Sequence, residues 1–82
     1  MNNKIVILNS IRDFYTYGPA RAKDLQKYLE DYYADKIALK DLFNKTLEVC
    51  DVIMKDKDDK YFLFTWNLSK AILAYQLKGG DK

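Results

Sequence analysis

The carboxylates most suggestive of a metal site are Asp56, Asp58 and Asp59, which belong to the segment DKDD. Carboxylates at alternate positions are typical of calcium-binding loops. In such a loop, however, Tyr61 would take the place of the glycine at the sharp turn, and Asn67 that of the bidentate glutamate. The spacing therefore predicts a charged turn and no metal site.

Cys50 is the single thiol of the chain, and the chain has no histidine. These counts exclude an intramolecular disulfide, a zinc site built from cysteine and histidine, and a nucleophile activated by histidine. Cys50 lies between Val49 and Val52, so we expect a small buried apolar side chain. No phosphate-binding glycine loop and no nucleophile paired with a base can be assembled, and the sequence predicts neither an enzyme nor a cofactor.

Length and charge define the class of protein. The 82 residues predict one domain over residues 1–78, with residues 79–82 as a flexible C-terminal tail. A domain of this size buries only about 60% of the surface that its unfolded chain exposes, so we expect self-association to add stability. The net charge of +2 is milder than the charge that marks a nucleic-acid binder by itself.

The apolar run of residues 5–8 is too short for a membrane span or a signal peptide. Polar residues follow it from Asn9 onwards. We therefore expect a cytoplasmic protein with no membrane contact.

Apolar spacings of three and four residues predict a first helix over Asn3–Tyr17. Ile7 and Phe14 fall beside its main apolar stripe, and Leu73 and Leu77 occupy a second face of the helix predicted at the C-terminus. Two interpretations stay open: these four residues form a homodimer interface, or the last helix covers Ile7 and Phe14 within the same chain.

Further helices are predicted over residues 22–33, from about residue 37 to residue 48, and over residues 68–78, with Asp35 and Asn67 as N-caps of the last two. Residues 49–55 and 60–66 are rich in β-branched and aromatic side chains and flank the DKDD turn, which is typical of a β-hairpin. The predicted fold class is therefore α+β, mainly α with a β-hairpin, in the order helix, helix, helix, hairpin, helix.

This pattern resembles the winged helix-turn-helix superfamily over roughly residues 4–65. The matching residues are apolar or packing positions in the second helix, the recognition helix and the wing, namely Leu25, Leu29, Leu39, Phe43, Leu47, Ile53, Tyr61, Leu63 and Thr65. The chain departs from the family at Asp51, where many members have glycine, and in its longer linker between the second and third helices.

The resemblance implies a homodimeric transcriptional regulator that reads double-stranded DNA with its third helix. It implies base or phosphate contacts from Lys36, Lys40, Asn44 and Lys45, with phosphate contacts from the start of the second helix and from the wing. Those further contacts are Arg21, Lys23 and Lys57.

Asp41 and Glu48 share the outward face of the third helix with the lysines, and a polyanion would meet both carboxylates. The alternative hypothesis is a protein-interaction module, an inhibitor or adaptor of the kind a mobile element could encode, that uses the same scaffold without binding DNA. Its aromatic anchors would be Phe62, Phe64, Trp66 and either Tyr17 or Tyr33.

Overall fold

The computed structural model describes residues 3–56 and 59–79, and all of its regular elements in these residues are helices. α1 spans Asn3–Tyr17, and a 3-10 helix, Ala20–Asp24, leads directly into α2, Leu25–Tyr33. α3 spans Leu39–Lys55 and α4 spans Asp59–Leu77. α3 and α4 pack against each other, and α1 and α2 cover the remaining sides of the core.

The predicted β-hairpin is wrong, because the described residues of this region are helical. Residues 49–55 form the C-terminal half of α3, and residues 60–66 form the N-terminal half of α4. The α+β fold class and the winged-helix prediction are therefore wrong as well. DNA binding and transcription regulation, which rested on that resemblance, lose their structural support.

The physical reason lies in the spacing of the buried side chains. Thr46, Cys50 and Ile53 are buried along α3, and Thr65, Leu68 and Ile72 are buried along α4. These spacings of three and four residues place each set on one side of a helix. The preference of β-branched and aromatic residues for strands is weak, and burial of a complete helical face outweighs it.

Gly18 and Pro19 separate α1 from the 3-10 helix, as the sequence predicted for this helix end. The N–H of Gly18 donates to the carbonyl oxygen of Phe14 at 2.9 Å. A Cβ atom at position 18 would lie 2.2 Å from that same oxygen, so only glycine allows this close approach. α1 has the predicted bounds.

The link between α2 and α3 differs from the sequence prediction. Asp35 was expected to cap α3, but it lies outside the helix with a φ of 60°, in the left-handed region that follows many helix ends. α3 begins after Ala38, and the N–H of Ala38 donates to Oδ2 of Asp41 at 3.2 Å. The cap is therefore supplied from inside the first turn of α3.

Candidate functional site

Two basic residues predicted to contact phosphates have partners within the chain. The Arg21 guanidinium pairs with the Asp56 carboxylate at the end of α3. The Lys23 ammonium donates to the carbonyl oxygens of Tyr15 at 2.8 Å and Thr16 at 3.2 Å, at the C-terminal end of α1. Both side chains therefore connect the 3-10 helix before α2 to neighbouring helices.

Lys45 on α3 and Lys36 in the link between α2 and α3 line one groove beside α2. Lys45 Nζ is 3.6 Å from Glu48 Oε1 and 5.6 Å from the centroid of the Tyr28 ring. Lys36 is exposed and lines the same groove as Lys45. This groove has mixed charge, because three carboxylates also line it: Asp24, Glu30 and Asp31.

Lys40 and Asn44 lie in a different groove, between the start of α3 and the end of α4. The edge-to-face pair of Phe43 and Tyr75, with ring centroids 5.6 Å apart, belongs to its lining. Three of the predicted DNA contacts, Lys23, Lys36 and Lys45, thus line one groove and Lys40 and Asn44 another, so the described contacts do not form one basic band. Lys57 lies outside the described residues.

The four residues of the predicted dimer interface divide into two pairs. Ile7 and Phe14 are buried within the single chain, and the Phe14 ring lies 5.3 Å from that of Phe64 in α4. They therefore occupy the chain's own core, and the ring that Phe14 contacts belongs to the segment predicted as a hairpin, before the predicted last helix. Leu73 and Leu77 are exposed on α4.

α4 carries a second apolar face in addition to the face that fills the core. Phe62, Trp66, Leu73 and Leu77 recur at spacings of four, seven and four residues, which places them within about 60° of one another around the helix. We call these four residues the outer stripe. All four are exposed, from 42% for Phe62 to 88% for Leu77. Apolar residues on both sides of a surface helix indicate that a second face is covered by something else.

The outer stripe begins with two rings in contact and has one lysine beside it. The Phe62 and Trp66 rings are stacked, with centroids 6.4 Å apart and planes 10° apart. The ammonium of Lys70 lies 5.8 Å from the centroid of the Trp66 ring. At 100° per residue Lys70 lies within about 80° of every member of the stripe, so the charge beside the stripe is positive.

All four residues of the outer stripe were candidate site residues in the sequence, but they were assigned to two different surfaces: Phe62 and Trp66 to aromatic anchors, and Leu73 and Leu77 to a dimer interface. In a strand, Phe62, Phe64 and Trp66 would share one face. In α4, Phe64 turns about 160° away from Phe62 and contacts Phe14 instead. The continuous stripe was missed because its spacing crosses residue 67, where a strand was expected to give way to a helix. Because Lys70 also lies beyond this boundary, its position beside the Trp66 ring was not predicted either.

Cys50 is buried in the core beside Ser69. Burial raises the pKa of its thiol to about 11, and the nearby Ser69 hydroxyl offsets part of this rise. Ser69 Oγ is itself buried and makes no hydrogen bond of ordinary geometry with the described residues.

In residues 3–56 and 59–79, no group of three or more cysteine or carboxylate side chains is arranged to hold a metal ion. None of the helices in this part of the chain combines the length and the apolar composition that crossing a membrane requires. The outer stripe is therefore the feature of these residues that most needs a functional explanation.

Comparison of the chain with protein-family models, with curated proteins and with solved structures finds no significant match.

Proposed function

We propose that this protein is an interaction module that uses the outer stripe of α4 to bind an amphipathic helix of another protein. The observation that carries the proposal is the second apolar face of α4. Thr65, Leu68 and Ile72 fill the core on one side, while Phe62 and Trp66 stand exposed on another. Aromatic side chains in such positions are the usual energetic centres of protein interfaces.

The shape of the stripe supports a helical partner. From Phe62 to Leu77 the stripe extends about 22 Å along α4, at about 1.5 Å per residue. Phe62, Trp66 and Leu73 fall at d, a and a positions of the heptad repeat with which two helices pack side by side. A partner helix of about four turns would cover the whole stripe.

The charge beside the outer stripe favours an acidic partner over a second copy of this chain. Lys70 lies beside the stripe near its middle, so two α4 helices packed through the stripe would bring two ammonium groups close. A partner helix with leucines on one face and glutamates beside them would instead meet Lys70 with opposite charge.

The test uses two synthetic helical peptides of 18 residues with the same leucine face, one flanked by glutamates and the other by lysines. Trp66 is the single tryptophan of the chain and lies in the stripe, so its fluorescence reports binding directly. We expect a blue shift and saturable binding with the glutamate peptide, and binding at least about tenfold weaker with the lysine peptide.

Calorimetry with the glutamate peptide should show at least about tenfold weaker binding for Trp66→Ala, because a central aromatic side chain contributes most to such an interface. The matched control is Tyr33→Ala, which removes an exposed aromatic residue from α2 and should leave the affinity unchanged.

Three results would overturn the proposal. The first is no binding of either peptide. The second is a dimer in light scattering that Trp66→Ala converts to a monomer, which would assign the stripe to a second copy. The third is binding to anionic lipid vesicles with no response to the peptides, which would assign it to a membrane surface.

A further inference from the structure

A second surface feature lies where the end of α1 meets the first half of α4. There a cavity of about 260 Å³ is lined by four aromatic rings, one carboxylate and one glycine: Asp13, Phe14, Tyr17, Gly18, Tyr61 and Phe64. We call this cavity the aromatic pocket. It is separate from the outer stripe, because Phe64 points about 160° away from Phe62 around α4.

The residues that line the aromatic pocket differ in how deeply they are buried. Phe14 is buried, and its ring contacts that of Phe64 with centroids 5.3 Å apart. Gly18 cannot be replaced by a larger residue without displacing Phe14, so the floor of the pocket depends on this glycine. Tyr17 is 80% exposed and forms the outer wall.

The chemistry of the lining suits a cation. The face of an aromatic ring carries negative charge density and attracts a cation within about 6 Å of the centroid. One ring of the aromatic pocket already attracts a cation, since the ammonium of Lys60 lies 5.5 Å from the centroid of the Tyr61 ring. Asp13 is the single charged residue in the lining, and it is negative.

Asp13 has one basic neighbour of its own. The Arg12 guanidinium lies 3.6 Å from Asp13 Oδ1, and both side chains are more than half exposed. An exposed pair of this kind is weak, because water screens it, and it leaves the carboxylate able to attract a second cation.

We propose that the aromatic pocket binds a quaternary ammonium group. The pocket is lined mainly by aromatic rings and offers few hydrogen-bond acceptors, so an ordinary ammonium would lose its hydration without fully replacing it. A methylated ammonium is weakly hydrated, carries the same charge and fills an apolar space, and aromatic cages are a known means of recognising it. The group could come from a free choline-type molecule or from a trimethylated lysine side chain.

The test is an NMR titration of the ring resonances with choline chloride at constant ionic strength. The control ligand is 3,3-dimethylbutan-1-ol, which has the shape of choline without its charge. We expect saturable shifts of the Tyr17 and Tyr61 rings with choline, and affinity at least about tenfold lower for the alcohol.

Variants locate the ligand within the molecule. Tyr17→Leu and Phe64→Leu should each weaken choline binding about two- to fivefold, because each removes one ring from the pocket. Asp13→Asn should weaken choline binding and leave alcohol binding unchanged. Tyr33→Leu, at an exposed tyrosine outside the pocket, should change neither, and circular dichroism should show that every variant is folded.

A second pair of ligands distinguishes the two sources. The titration is repeated with Nα-acetyl-trimethyllysine amide and with the unmethylated Nα-acetyl-lysine amide. Tighter binding of the trimethylated compound than of choline would point to a modified protein side chain, and the reverse to a small molecule. The unmethylated compound should bind more weakly than both.

The proposal is overturned if the alcohol binds as well as choline, since the pocket would then be only apolar. It is also overturned if choline produces no saturable shift at Tyr17 and Tyr61, or if Tyr17→Leu and Phe64→Leu leave its affinity unchanged. None of these outcomes bears on the peptide experiment with the outer stripe.

Discussion

The ring of Phe14 in α1 lies 5.3 Å from the ring of Phe64 in α4, with the two planes tilted by 39°. A double-mutant cycle with leucine at both positions should give a coupling free energy of about 0.5–1.5 kcal/mol in urea unfolding. The same cycle for Phe14 and Phe62 should give a coupling near zero, because Phe62 lies on another side of α4. Equal couplings would indicate that Phe62 and Phe64 share a face, as in a strand.

Asn67 lies in the middle of α4 and is exposed. Asn67→Ala should therefore raise the free energy of unfolding by about 0.5 kcal/mol, because alanine has the higher helix propensity. Had Asn67 been an N-cap, as the sequence suggested, the same change would lower stability by about 1 kcal/mol. Asn44→Ala, at an exposed position within α3, is the matched control and should also stabilise the protein.

Lys23 completes the C-terminal end of α1 by donating to two of its last carbonyl groups. Lys23→Met should lower the free energy of unfolding by about 1 kcal/mol, since these carbonyls lose a charged donor. Lys27→Met, at an exposed position on α2, should change it by less than about 0.5 kcal/mol. Equal effects of the two substitutions in thermal unfolding would show that the hydrogen bonds of Lys23 do not stabilise the end of α1.

The raised pKa of the Cys50 thiol predicts that the protein loses stability in alkaline solution. Its pKa is raised in the folded state from the model-compound value of 9.0 to about 11, so the folded protein keeps its thiol proton where the unfolded chain loses it. The stability linked to this proton is complete below about pH 8 and decreases as the pH rises through the interval between the two pKa values. From about pH 8 to about pH 10 the expected loss is about 1.4 kcal/mol.

The measurement is the free energy of unfolding of the wild type and of Cys50→Ala across this interval. The two proteins differ only at residue 50, so the difference between their free energies of unfolding isolates the thiol. A difference that stays constant with pH would show that the pKa of Cys50 is not raised.

The sequence predicted α1 with its bounds and placed Phe43 among the packing positions of the third helix, where it is buried. It could do so because the spacing of apolar residues in a helix is a local property of the chain. It failed at residues 49–55 and 60–66, where valine, isoleucine and aromatic side chains have the composition of strands and the spacing of helices. Of the candidate sites, it named the residues of the outer stripe without placing them together.

The amino-acid sequence by itself determined which side chains are apolar, how they recur, that Cys50 has no histidine to activate it and that lysines accompany the last helix. Only the tertiary structure decided whether residues 49–55 and 60–66 form a hairpin or helices, because that choice depends on whether a helical face is buried against other helices. The tertiary structure likewise brought Phe14 to Phe64 and turned Phe62 outwards with Trp66. Contacts between residues fifty positions apart depend on how helices pack, which no local spacing specifies.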